Sequence, residues 1–249
     1  MIVLLTDFGE SEYVGVMKGV IYSIACDAVI VDLCHSIRPQ EIIEASWVLK
    51  NNYKYFPAGA IFCCVVDPGV GTERKAIVVK TGRYYFIGPD NGLLWETVAE
   101  QEITDMRQIA IPEDASRTFH GRDVFARAAA DIDSGNFETT GERIERIEKL
   151  ELYKKGREGI VVRIDGFGNV ITNLEKQNPV RDGLRQKDKY SVETEGKRYM
   201  MDYCPNYYAA KEDELSLIEG SNNTLEISLR NGSANDKLHL KAGKKIRIS

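Results

Sequence analysis

The chain has 249 residues, 43% hydrophobic and 29% charged, with 33 Lys+Arg against 38 Asp+Glu for a net charge of −5. At roughly 150 residues per domain, this length predicts one large domain or two modest ones. The apolar run at residues 61–66 is far shorter than the roughly 18 residues that cross a bilayer, no basic leader precedes Asp7, and no basic stripe offers a grip on a phosphate backbone, so membrane-spanning, secreted and nucleic-acid-coating proteins are disfavoured and a cytoplasmic location is expected.

The first 135 residues alternate between strand and helix patterns. Residues 2–5 form a short apolar strand that ends at Thr6-Asp7-Phe8-Gly9. Residues 11–26 place Val14, Met17, Ile21 and Ile24 at helical spacing. A second strand is predicted at residues 29–33. Pro39 then stands where the first turn of a helix tolerates proline, followed by Ile42, Ala45 and Leu49 at helical spacing. Residues 61–66 read as a strand buried on both faces. Residues 76–80 and 84–87 form a strand pair, and residues 93–100 and 123–132 two further helices. Such alternation predicts an α/β domain with a mostly parallel sheet covered on both faces.

After about residue 150 the apolar runs shorten and turn signals multiply, as at Gly168-Asn169, Glu195-Gly196 and Asn231-Gly232. Residues 160–164, 190–193, 215–218, 225–229 and 245–248 fit strands of an all-β barrel or sandwich. Residues 142–155 are charge-rich and predict a linker or an exposed helix. The expected organisation is thus an α/β domain over 1–155 and a β domain over 156–249. Charge divides similarly, with 15 Lys+Arg against 23 Asp+Glu in residues 1–150 and 18 against 15 in residues 151–249.

The five cysteines, Cys26, Cys34, Cys63, Cys64 and Cys204, include no CxxC pair and predict neither a disulfide framework nor a zinc site. With only His35, His120 and His239 to add, no metal is expected. Cys63 and Cys64 are adjacent, so on a strand they face opposite sides.

Ligands of open parallel sheets bind at the carboxyl ends of the strands. Four polar, glycine-bearing segments stand at or near such ends: Thr6-Asp7-Phe8-Gly9, Asp67-Pro68-Gly69-Val70-Gly71 running on to Arg74, Gly88-Pro89-Asp90-Asn91-Gly92, and Phe119-His120-Gly121-Arg122-Asp123. Each has an ordinary alternative. Asp7 and Asp123 suit helix starts, and Asp90-Asn91-Gly92 suits a turn. The glycines at 69 and 71 lack the order of a phosphate-binding loop.

Together with His35-Ser36-Ile37-Arg38-Pro39-Gln40, Asp165-Gly166-Phe167-Gly168-Asn169, Thr172-Asn173 and Asn231-Gly232-Ser233-Ala234, these segments make the sequence similar to the S-adenosyl-L-methionine (SAM) hydroxide adenosyltransferases, adenosine-forming SAM hydrolases related to fluorinase and chlorinase. The resemblance runs through nearly the whole chain. It implies a seven-stranded, mostly parallel N-terminal sheet, a C-terminal β-barrel, and a homotrimer with each SAM site shared between neighbouring subunits. SAM is then the substrate and no cofactor is needed.

The resemblance assigns a catalytic trio to Asp67, Arg74 and His120. The fluorinase pattern has Tyr in place of Asp67, and Tyr then Ser in place of His120-Gly121. Asp67 would repel a halide at close range, whereas it accepts a hydrogen bond from water, so water is the expected nucleophile. The implied binding residues are Asp7 for the ribose hydroxyls and Phe119 near the ribose or reacting carbon. Phe167, Asn169 and the backbone of Arg230, Ser233 and Ala234 are implied for adenine. Asp165 and Ser221 are implied for the methionine amino and carboxylate groups, Asp165 across a one-residue gap from the fluorinase pattern and Ser221 in a divergent turn. Barrel core is the alternative for Phe167. A SAM- or adenosine-binding module with little turnover, and a SAM-dependent halogenase, are the competing functions.

Overall fold

The structure is a computed structural model that describes residues 1–175 and 189–249. It divides into two compact units, Met1–Glu151 and Leu152–Ser249.

The first unit runs β1 (Ile2–Thr6), α1 (Glu12–Ile24), β2 (Ile30–Cys34), α2 (Ile42–Asn52), β3 (Ile61–Val65), β4 (Ala76–Thr81), β5 (Tyr85–Pro89), α3 (Trp95–Val98), β6 (Ile103–Ile109), α4 (Ala126–Asp133) and β7 (Gly141–Arg143). Its seven strands form one sheet in the order β2-β1-β3-β5-β4-β6-β7. The β2-β1-β3-β5 half is parallel, and β4, β6 and β7 continue it antiparallel. Alternation along the buried strands feeds two core layers. Ile2, Leu4 and Cys63 pack with α1 and α4 residues such as Met17 and Ala129, whereas Val3, Leu5 and Cys64 pack with α2 residues such as Ala45 and Leu49. The adjacent cysteines therefore do face opposite layers, and burial pushes the Cys63 thiol up to about 12.

One local expectation is corrected. Pro39 precedes α2 rather than opening it, because Gln40 takes a left-handed φ of 68° and donates its backbone N–H to Asp7 Oδ2 at 2.8 Å. Of the two alternatives for residues 142–155, linker or exposed helix, the linker holds after β7: residues 144–151 form no helix, and Ile147 is buried in the core layer that includes Val3 and Leu5.

The second unit runs β8 (Glu158–Ile164), β9 (Val170–Glu175), β10 (Lys189–Thr194), β11 (Lys197–Cys204), β12 (Leu215–Glu219), β13 (Thr224–Leu229), α5 (Ala234–Leu238) and β14 (Lys245–Ile248). The strands close into a barrel in the order β10-β11-β12-β13-β9-β8-β14. Closure removes the free edges that a small sheet would otherwise expose. Its interior is filled by inward residues such as Val161, Val170, Val192, Leu217, Ile227 and Ile246.

Candidate active site

In the first unit, β1, β3 and β5 run parallel, so the segments after Thr6, Val65 and Pro89 leave the same edge of the sheet. β4 starts at that edge because it pairs antiparallel with β5, Ala76 opposite Pro89. Asp67 follows β3 and Arg74 precedes β4, so one loop carries both. Gly71 in that loop has φ +78°, and a Cβ there would sit 2.3 Å from the carbonyl oxygen of Arg117. This close approach, which only glycine permits, brings the loop against the segment that carries Phe119 and His120.

Asp67, Arg74 and His120 meet there. Arg74 Nε donates to both Asp67 oxygens at 3.0 Å, and Arg74 Nη2 donates to Oδ2. Nη2 also lies 2.7 Å from His120 Nδ1. A guanidinium only donates, so Nδ1 accepts and the neutral imidazole carries its proton on Nε2. Burial, and then the Arg74 charge, lower the His120 pKa below its ordinary value and favour this neutral form. Arg74 stacks over Phe125 at 5.3 Å. Its Nη1 is buried without a hydrogen-bond partner among the described residues, an unmade bond that normally costs stability. The site thus presents two donors, Nη1 and Nε2–H, beside a carboxylate. Immediately after His120, a π-helical turn over Gly121–Phe125 leads into α4, a distortion often found at functional positions.

Asp7 stands close enough for Asp67 to raise its pKa, though burial does most of that. The segment at residues 35–40 brackets the Asp7 loop: Gly9 N–H donates to the His35 carbonyl at 2.7 Å, and Gln40 N–H to Asp7. The His35 ring joins Thr6 Oγ1 at 2.8 Å to Asp32 at 3.0 Å, and Lys18 pairs with Asp32 at 2.6 Å. Phe119 packs edge-on against Phe8 and Tyr13, with ring centroids 5.8 and 4.9 Å away. Gly121 lies under these rings, where a Cβ would come within 3.3 Å of Phe8, Phe119 and Met17 side chains.

The second unit holds a cavity of about 860 Å³, lined by Asp165, Phe167, Asn169, Tyr207, Tyr208, Leu229, Arg230, Asn231, Gly232 and Ser233. This volume suits a small-molecule ligand. Asp165 organises one wall: Oδ1 accepts the N–H groups of Phe167 and Asn169, each at 2.9 Å, and Oδ2 accepts Asn169 Nδ2 at 2.9 Å. Gly168, at φ +82°, lets this loop meet the next, since a Cβ there would fall 2.1 Å from Ser233 Oγ. Ser233 caps α5 by accepting the Asp236 N–H at 3.1 Å. Phe167 is 83% exposed, so it is not barrel core, and an apolar ring held in the open is available to a ligand. The Arg230 guanidinium lies over Tyr208 at 4.6 Å.

Family models for the SAM hydroxide adenosyltransferase N-terminal domain and C-terminal domain match residues 2–141 and 159–247. The chain belongs to the SAM hydroxide adenosyltransferase family. It is 38% identical over 240 residues to a (R)-S-adenosyl-L-methionine hydrolase of Methanocaldococcus jannaschii, covering 92% of this chain and 88% of that one. A protein of the same name from Thermus thermophilus is 36% identical over 260 residues, covering 98% and 97%. Among solved structures, an uncharacterized conserved protein from Thermotoga maritima superposes with a TM-score of 0.90 at 36% identity, over 100% of both chains.

Of the residues singled out from sequence, Asp67, Arg74 and His120 form one hydrogen-bonded group, with Asp7 within electrostatic reach. Asp165, Phe167, Asn169, Arg230 and Ser233 line one cavity. Ala234 is fully buried at the start of α5, and Ser221 is exposed in the turn between β12 and β13; neither lines the cavity. Sequence reasoning missed Tyr207 and Tyr208. Their signal was an aromatic pair in a turn-like stretch, Pro205-Asn206-Tyr207-Tyr208, where no core strand explains two adjacent rings.

Proposed function

We propose that this protein hydrolyses S-adenosyl-L-methionine to adenosine and L-methionine, by in-line attack of water on ribose C5′. The observation that carries the reading is the Asp67–Arg74–His120 group at the carboxyl edge of the sheet, in a chain whose full-length relatives are named for this hydrolysis. The oxygen–C5′ bond forms as the C5′–sulfur bond breaks, and the sulfur keeps the electron pair and becomes a neutral thioether. One proton is released per turnover, because the sulfonium charge disappears. The sulfonium is itself the leaving group, so the step as written needs no cofactor.

Each residue has a defined task. Asp67 accepts a hydrogen bond from the attacking water and draws on its proton. Arg74 Nη1 and His120 Nε2–H donate to the oxygen as hydroxide character develops. Arg74 also anchors Asp67 through its Nε and Nη2 hydrogen bonds and holds His120 in the tautomer that donates. Asp7 receives the ribose hydroxyls, with Phe119 beside the reacting carbon. Phe167, Asn169 and the backbone of residues 230–233 receive adenine, and Asp165 and Ser221 the methionine end. A carboxylate at position 67 disfavours a halide nucleophile.

The rest of the reading concerns setting. The working unit is a homotrimer, in which groups from both kinds of unit complete each site across copies. The location is cytoplasmic, in keeping with five free cysteines, and the acidic balance gives nucleic acid no foothold. The test is chromatography of SAM incubated with the protein, with and without fluoride or chloride. Equimolar adenosine and methionine are expected. Binding of SAM with no product, or a 5′-halo nucleoside, would replace this reading with a binding module or a halogenase.

A further inference from the structure

The barrel cavity is backed by a buried carboxyl group that the reading above leaves unused. Glu226, on β13, is 5% exposed. Its Oε1 accepts a hydrogen bond from the Tyr207 hydroxyl. Its Oε2 lies against Gly220, where an added Cβ would stand only 2.6 Å away. Glycine at 220 therefore leaves room for the carboxyl group, which ties β13 to the Tyr207 turn. Burial and the nearby Asp165 both oppose ionisation of Glu226, while the Tyr207 bond favours it. A buried carboxyl group is expensive where an apolar side chain would fill the strand position, so its retention calls for a use beyond packing.

Tyr207 points to that use. It lines the cavity and is 49% exposed, yet its hydroxyl is committed to Glu226. What it offers a ligand is its ring and not its O–H. A tyrosine on a short surface turn would otherwise sample several rotamers, and a ligand that stacks on it would have to fix one.

We propose that Glu226 is a positioning residue for the substrate's nucleoside: it holds Tyr207 by the hydroxyl so that the ring stands ready as a fixed stacking face for a planar heteroaromatic base. This rests on reading the barrel cavity as the nucleoside site. Glu226 itself does not touch substrate. Gln at 226 keeps an acceptor for the hydroxyl, Leu removes it, and Phe at 207 removes the donor.

The experiment measures adenosine affinity by calorimetry and SAM kinetics on the full-length protein, for wild type, E226Q, E226L, Y207F and the E226L/Y207F pair, with thermal unfolding of each. We expect E226L and Y207F each to weaken adenosine binding and raise KM roughly 3- to 10-fold, the span set by freeing one side chain, with kcat within about 2-fold of wild type by the same argument. E226Q recovers most of the affinity lost in E226L. The double variant is no weaker than either single one, because both remove the same bond. A purely structural role would shift the unfolding midpoint and leave adenosine affinity unchanged. Wild-type affinity in Y207F and E226L, or multiplied losses in the double variant, would overturn the proposal. If wild type bound no adenosine and formed none from SAM, the nucleoside reading itself would fail, and this inference with it.

Discussion

His120 shows how much one hydrogen bond can decide. Because Arg74 can only donate, the 2.7 Å contact fixes Nδ1 as acceptor and turns Nε2–H toward its remaining neighbours. An imidazole so held donates to a forming hydroxide and does not act as its base. His120→Asn keeps an acceptor for Arg74 and a donor beyond it, so it should retain more turnover than His120→Ala, whose loss of a charge-stabilising donor predicts roughly 100-fold or more. Equal rates in the two variants would contradict this tautomer. The pH profile follows from the same geometry. Protonating His120 places a proton on Nδ1, facing the Arg74 donor, so activity falls as pH drops through the His120 pKa. Burial and Arg74 set that pKa below the ordinary 6.5. The acid limb of kcat/KM should therefore have its midpoint below 6.5; a midpoint above it would show that the neutral histidine is not the required form.

At the scale of elements, the site depends on loops brought closer than side chains normally allow. Gly71 combines positive φ with a 2.3 Å approach to the Arg117 carbonyl oxygen. Gly71→Ala should cost roughly 1–3 kcal/mol of backbone strain and displacement, read as a lowered unfolding midpoint. Turnover should fall further than stability, because Asp67 and Arg74 ride on that loop; unchanged turnover would mean the loop is not what seats them. These elements also explain what was legible in the sequence. Strands buried on both faces, such as Ile61–Val65, are unbroken apolar runs and stand out. β6 was missed because Ile-Thr-Asp-Met-Arg-Gln-Ile mixes charge with apolar residues, and Arg107 is buried by pairing with Asp105 and Glu138, donating to the Glu138 and Gly141 carbonyls and stacking on Phe137. β11 was missed because its partly exposed face breaks the apolar pattern, and β9 because it follows so closely on the Gly168 turn. The segments that carry the trio were legible after a strand and ahead of a helix, and the family resemblance singled out the three residues, but the Arg74 bridge between a carboxylate and an imidazole was not legible, since residues 67, 74 and 120 meet only when β3, β4 and α4 are assembled. Tyr207 and Glu226 stayed hidden for the same reason, being 19 positions apart and joined only by the barrel.

For the whole molecule, the chemistry is divided. The water-handling group lies in Met1–Glu151, and the aromatic cavity in Leu152–Ser249. The proposed homotrimer joins them across copies. Light scattering should then give three times the 28.0 kDa chain mass. Mixing Asp67→Ala protein with Phe167→Ala protein, after reversible dissociation, should restore activity that neither has alone, since some mixed sites would carry both intact halves. No restoration despite confirmed mixing would mean that each site draws on a single chain.

The central claim is that water attacks C5′ and the carbon–sulfur bond breaks on that side. Turnover of SAM in water labelled with heavy oxygen tests it most directly, followed by mass spectrometry of both products. One labelled oxygen in the adenosine 5′-hydroxyl and none in methionine is the predicted result. Label in methionine, or adenosine formed without label, would contradict the mechanism.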